Sequence, residues 1–365
     1  MIRTRLLITA VLVSLLAAPA SAQESVNQTR VTQFGAWLDN ASAVLTIDGS
    51  TDTAVFAPIL EAFAKRVPDL AIRYREITTN ELNDLAERGC SGAEPAADLV
   101  VSSSIDQQVK LANDGCAQPN HSALVKALPA WAKWRDEVVG LTYEPAVIVY
   151  NRDLVPPAQV PQSRFDLIDL LRPDDNPFTG RIATYDIERS GVGYLFAFMD
   201  AQQATTFGRL IEAFGRNKVV ATCCSAEIID AVASGRFLIG YNMLGSYALA
   251  RAANDRRIGI VAPTDYTLVL ARAALIPKRA RNAELARRFI DFALSEDGRR
   301  LLTESGLIVS FDEAGEGFSS LSGAVPTLRP IALSPVLLIG LDQQTRDNFL
   351  ALWRSSLGGA GSGMQ

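Results

Sequence analysis

Three stretches place small hydroxyl residues between a β-favouring run and a helical one. Ser50-Thr51 follows AVLTIDG, Ser103-Ser104 follows ADLVVS, and Ser190-Gly191 follows RIATYDIER. A helix start carries unpaired N–H groups and a partial positive charge, so hydroxyls and amides gathered there can hold an anion. Arg189 adds a forked guanidinium suited to phosphate or carboxylate. Gly191 and Gly193 let a ligand come close to the backbone. The plain alternative for each serine is a helix cap, the commonest role of Ser and Thr at such a position. Tyr241, Asn242, Ser246, Tyr247 and Asp265, further along, can add polar contacts from a second unit. Asp48, Asp52 and Asp265 would repel an anion unless they accept its hydroxyls or brace the loops.

Catalytic chemistry has little to build on. The one histidine, His121, follows CAQPN outside these loops, and there is no G-x-S-x-G elbow. A serine hydrolase is therefore the lesser alternative, and no catalytic residue is assigned. No dinucleotide fingerprint, P-loop or metal-ligand cluster appears, so no metal and no cofactor is expected.

The start, MIRTRLLITAVLVSLLAAPASA, has Arg3 and Arg5, an apolar run from Leu6 to Leu16, and Ala20-Ser21-Ala22. This is an export signal, with cleavage expected after Ala22. Its apolar run is shorter than the roughly 20 residues a membrane span needs. An exported, soluble, periplasmic protein follows. Without Arg3 and Arg5, 33 basic residues stand against 40 acidic ones, a formal charge of −7. With no basic stripe, nucleic acid is excluded as a partner. A hydrophobic content of 48% excludes disorder. The remaining length suits two lobes.

Four cysteines lie in a compartment that permits disulfides. Cys90 and Cys116 each follow a glycine closing a helical segment, which places both at one sheet edge and predicts a bridge. On the chain-entropy account it stabilises by about 3–4 kcal/mol. Cys223 and Cys224 are neighbours, joined in a ring, reduced or paired elsewhere; the spacing fits no zinc motif.

Residues 23–40 read as a loose polar lead-in. Strand, loop and helix then alternate three times: AVLTIDG with TAVFAPILEAFAKRVP, LAIRYREI with TTNELNDLAERG capped by Thr79 or Asn80, and ADLVVSS with SIDQQVKLANDG closed by Gly115. That alternation predicts a parallel sheet covered by helices. LTYEPAVIVYNRDL, with Pro145 inside, suits an edge strand or a crossing between lobes. Helices are expected over FDLIDLLR, near 201–214, over SAEIIDAVASG, and over 281–304 and 342–356. KVVAT and RFLIGYN read as strands, and IGIVAPTDYTLVLARAALIP as a second crossing.

The ordered segments DG-STD…PILEAF, ADLVVSSSIDQQVKLANDG, TYEPAVIVYN, YDIERSGVGYLF, GRFLIGYNMLGSYA and PTDYTLVLARAALIPK carry a resemblance. They resemble the type II periplasmic solute-binding proteins of ABC importers, in the branch of the ferric-ion binders and nearest its phosphoglycerate-regulatory members. The resemblance implies an α/β fold of two lobes, two mixed sheets with helices on both faces, joined by a two-strand hinge. Lobe 1 would hold 41–146 and 268–356, including the C-terminal helices, lobe 2 would hold 147–267, and 357–365 would be a tail. It also implies a monomer that closes on a small anionic solute, a phosphorylated three-carbon acid or a sugar phosphate, for a permease or a sensor histidine kinase. Ferric binders have neighbouring tyrosines after the strand matching RFLIGY, because paired phenolates suit Fe(III). Here Met243-Leu244-Gly245-Ser246-Tyr247 leaves Tyr247 alone, with Tyr143, Tyr241 and Tyr266 as the other phenols near the cleft; ferric binding is the alternative. Trp37, Trp131, Trp134 and Trp353 fall outside the contact loops, so stacking on a bare sugar face is not expected.

Overall fold

The computed structural model describes residues 30–203, 205–309 and 326–357 of the 365. The export signal and the tail beyond Leu357 lie outside the described residues.

Two sheets organise the chain. In the first, Ala43–Gly49 runs parallel to both Leu70–Glu76 and Leu99–Ser102. Each strand leads into a helix: Thr53–Arg66, Thr79–Ser91 and Ile105–Asn113. Phe56, Ile59, Leu60 and Phe63 recur at helical spacing and are buried against Leu45, Ile47 and Ile72 of the sheet. Thr78, rather than Thr79 or Asn80, occupies the cap position of the second helix. Gly115, at φ +74°, closes the third. Cys90 and Cys116 are joined, with Cα atoms 5.3 Å apart, tying the second helix to the end of the third.

The lead-in is corrected from Arg30 onward. Arg30–Gly35 is an antiparallel edge strand on Leu70–Glu76. None of its six residues is buried, so it carries no hydrophobic alternation to read.

In the second sheet the order is Val220–Thr222, Ile182–Tyr185, Ile239–Leu244, Glu144–Asn151, Thr267–Leu270 and Leu328–Pro330, with Ile258–Val261 also on Glu144–Asn151. Glu144–Asn151 is buried along its whole length and paired on both sides, which removes the edge-strand option for it. The helical run after Ser190 is Gly191–Gln203, and the helix expected near 201–214 is Phe207–Arg216.

The chain leaves the first sheet after Gly140, enters the second at Glu144, and returns between Leu270 and Ala273. These crossings lie a few residues outside the expected boundaries at 146/147 and 267/268. Val309, bonded to Tyr143, and Leu328–Pro330, in the second sheet, flank residues 310–325, which lie outside the described residues. Ala283–Leu294 and Glu296–Glu304 pack on the first lobe through Phe289 and Leu302. The helix Gln343–Leu357 does not: Phe349, Leu350 and Trp353 bury against Tyr194, Phe198, Phe207 and Ile211 of the second lobe. An apolar stripe shows that a helix has a buried face, not which lobe receives it. Among the described residues no helix is long and apolar enough to cross a membrane.

Candidate functional site

Parallel strands that enter from one side deliver their following loops to one edge. The loops after Gly49, Glu76 and Ser102 therefore gather on the first lobe, and those after Tyr185, Thr222 and Leu244 on the second. Between them lies a cavity of about 400 Å³. Its first-lobe wall includes Arg30, Ser50, Asp52, Glu76, Thr78, Thr79 and Ser103. The second-lobe wall includes Tyr185, Arg189, Ser190, Cys223, Cys224, Ser225, Glu227 and Tyr247. Five helices begin at this cavity, at Thr53, Thr79, Gly191, Ser225 and Gly245.

The first-lobe hydroxyls are arranged by one another. Ser50 Oγ lies 3.3 Å from Ser103 Oγ and accepts the Ser103 N–H at 3.0 Å. Glu76 accepts from the N–H and hydroxyl of Thr53 at 2.8 and 2.7 Å, serving the start of that helix from a neighbouring strand. On the second lobe Ser190 Oγ accepts the Gly193 N–H at 3.1 Å. Ser190 is thus a cap and a wall residue at once.

Three contacts draw the walls together. The Gly191 N–H donates to Thr79 Oγ1 at 2.8 Å, and Asn80 Nδ2 donates to the Glu188 carbonyl at 3.2 Å. The Tyr247 hydroxyl donates to Asp52 at 2.8 Å while accepting the Asp52 N–H at 3.0 Å. Burial raises the Asp52 carboxyl above its usual range and the Tyr247 phenol well above its own. Tyr185, whose hydroxyl pairs with Ser225, is pushed up to about 12 by burial.

Of the expected contact residues, Ser50, Ser103, Arg189, Ser190 and Tyr247 line the cavity. Thr51 and Ser104 do not: both are fully buried, and Ser104 donates to Asp106. Gly191 spends its N–H on Thr79. Tyr241 and Asn242 donate to Asp200 inside the second lobe, and Asp265 pairs with Arg164 there. Ser246 donates to the buried Glu144. Among the questioned acids, Asp48 is braced by Arg75 and Asp265 by Arg164, while Asp52 faces the cavity. Tyr266 also bonds Asp200, and Tyr143 lines a separate surface hollow beside Trp131. His121 stands exposed near Asp136, away from the cavity.

Sequence reasoning passed over Arg30, Glu76, Thr78, Thr79, Tyr185 and the Cys223-Cys224-Ser225 run. Ser225 had the same signal as Ser190, a hydroxyl between a strand and a helix. The lining carries four carboxylates, Asp52, Glu76, Glu81 and Glu227, beside two arginines, Arg30 and Arg189. It can receive both an anionic group, at helix starts and guanidinium, and hydroxyls, at the carboxylates.

The family described as bacterial extracellular solute-binding protein matches residues 45–308. A substrate-binding protein of an ABC transporter from Agrobacterium tumefaciens is 38% identical, with a TM-score of 0.82 over 91% of this chain and 99% of that one. AfuA from Actinobacillus pleuropneumoniae, solved with fructose-6-phosphate, is 17% identical with a TM-score of 0.68, over 87% and 99%. Iron-bound HitA from Pseudomonas aeruginosa is also 17% identical, with a TM-score of 0.64, over 86% and 99%. These two show the shared two-lobed fold. No curated protein matches the sequence.

Proposed function

This chain belongs to the bacterial extracellular solute-binding proteins of ABC transporters, and we propose that its cleft captures a small hydroxylated organic anion. A phosphorylated three-carbon acid or a sugar phosphate is favoured. The carrying observation is the convergence of five helix starts and two arginines on a cavity that also holds four carboxylates. The helix starts and Arg189 suit phosphate or carboxylate oxygens, and Asp52 and Glu76 suit hydroxyl donors. A bare inorganic anion would find the carboxylates repulsive. The cavity volume is that of a small-molecule site. AfuA, with the same fold, was solved holding a sugar phosphate.

The mature chain, cleaved after Ala22, works as a periplasmic monomer, with no chemistry done on the solute. It delivers to a permease; a sensor kinase ectodomain is the alternative partner. Ferric iron is the second reading, because Tyr185 and Tyr247 both line the cavity with Asp52 and Glu76.

Thermal shift of the mature protein, stripped of carried-over solute, tests this. The panel holds 2- and 3-phosphoglycerate, sugar phosphates, dicarboxylates and Fe(III)-citrate. A solute at about 100 times its Kd stabilises by roughly 2.7 kcal/mol, several degrees in Tm. A shift with a phosphorylated compound that Ser190→Trp abolishes is the expected result. A shift with iron alone, accompanied by tyrosinate colour, rejects the anion reading.

A further inference from the structure

Cys223 and Cys224 are bonded to each other and line the second-lobe wall of the cleft. Cys224 is exposed and Cys223 half-buried. The pair is not a cap: Cys224 holds the cap position of the helix Ser225–Ala233 without a side-chain bond to it, where Ser, Thr, Asp or Asn would make one. Nor does it staple the fold. A bridge between neighbours closes almost no loop in the unfolded chain, unlike Cys90–Cys116 with its separation of 26.

What remains is the surface it offers. Two disulfide sulfurs are polarisable, accept hydrogen bonds weakly and donate none. Such a surface receives carbon-bound hydrogens and leaves hydroxyls unsatisfied. The larger apolar groups that also line the cleft offer little surface: Ile77, Val192, Leu244, Tyr185 and Tyr247 are each 8% exposed or less, and among the described residues no tryptophan lines it. Carboxylates for hydroxyls stand on the first-lobe wall, at Asp52 and Glu76.

We infer that the Cys223–Cys224 ring is the platform on which the carbon face of the solute rests. It selects a cyclic sugar phosphate, which has a hydroxyl edge and a C–H face, over a three-carbon acid, which has no such face. This rests on the anion reading of the cleft.

The test begins with intact mass after N-ethylmaleimide treatment without reductant; no adduct is expected, and adducts on Cys223 and Cys224 overturn the platform. Calorimetry then compares wild type with Cys223→Ala/Cys224→Ala, using fructose 6-phosphate, glucose 6-phosphate and 3-phosphoglycerate. A sugar phosphate is expected to bind wild type and to bind the variant roughly tenfold more weakly, the worth of about two buried methylene-sized groups. The unliganded Tm should match wild type; Cys223→Ser/Cys224→Ser replaces the alanine variant should that one fail to fold. Equal affinity in a folded variant overturns the platform and leaves the anion reading standing. Preference for 3-phosphoglycerate in wild type overturns the selectivity. If no phosphorylated compound binds, the anion reading falls and takes the platform with it.

Discussion

Among the described residues two arginines are fully buried beside carboxylates, and they serve different purposes. Arg164, on the second lobe, pairs with Asp200 at 2.9 Å and Asp265 at 3.2 Å, and donates to the Tyr266 carbonyl at 2.7 Å. Asp200 also receives Tyr241, Tyr266 and Asn242. Every partner lies within one lobe. Arg272 sits on the return crossing, pairs with Glu144 on the outward crossing at 3.0 Å, and lies 3.5 Å from the Ser50 carbonyl of the first-lobe wall. Thr142 accepts its N–H, and Ser246 of the second lobe donates to Glu144. The same ion pair thus braces one lobe in the first case and knots both lobes and the cleft floor in the second. Buried pairs are weak evidence for net stability but costly to break on one side.

The largest effect should come from Arg164→Ala, which leaves Asp200 buried without its cation. Stability should fall by about 3–5 kcal/mol in urea unfolding, while solute affinity of the folded fraction stays within about twofold. A loss below about 1 kcal/mol breaks the view of this cluster as a brace.

Glu144→Gln should destabilise by about 3 kcal/mol, the carboxamide keeping part of the bonding. Unlike the first substitution, it should also weaken solute binding and change the solution scattering radius. Unchanged affinity would erase the distinction between the two arginines.

Asp106 sharpens the contrast, since it is buried without an arginine in hydrogen-bonding contact. Burial pushes its carboxyl up to about 6, against hydrogen bonds from Ser104 and backbone amides. The folded state therefore holds this proton more tightly than the unfolded chain. Its contribution is fully present below about pH 4 and is lost as pH rises through about 6, a change on the order of 3 kcal/mol. Asp106→Asn should flatten that slope and raise stability at pH 7. A slope that persists unchanged in the variant assigns it to other groups.

The smallest effect belongs to Thr79→Val, which deprives the Gly191 N–H of its acceptor across the cleft. About 1 kcal/mol of closure, near fivefold in solute affinity, should be lost with little change in unliganded Tm.

The alternation of strands and helices in the first lobe was legible because each element carried its own period. Arg30–Gly35 was not, since no residue in it is buried. Strand-end hydroxyls located both walls, but neighbours in a turn face opposite ways: Ser50 and Ser103 open to the cavity, Thr51 and Ser104 inward. Tyr241, Asn242 and Asp265 were misassigned for a different reason. Their partners, Asp200 and Arg164, stand between 41 and 101 residues away, and spacing says nothing of such a meeting. Glu76 was hidden likewise, at the end of one strand and serving the helix that follows another.

The two crossings, Gly140 to Glu144 and Leu270 to Ala273, have a mechanical meaning, because Arg272 on one is paired with Glu144 on the other. Two free tethers side by side permit both bending and torsion; two that are locked to each other by a buried ion pair resist torsion while leaving bending soft. An opening motion at such a joint follows a hinge arc that would bring the jaws back into the same alignment. Helix starts on one jaw then return to the same angstrom-scale positions opposite the other, and recognition is not reset by slack between turnovers.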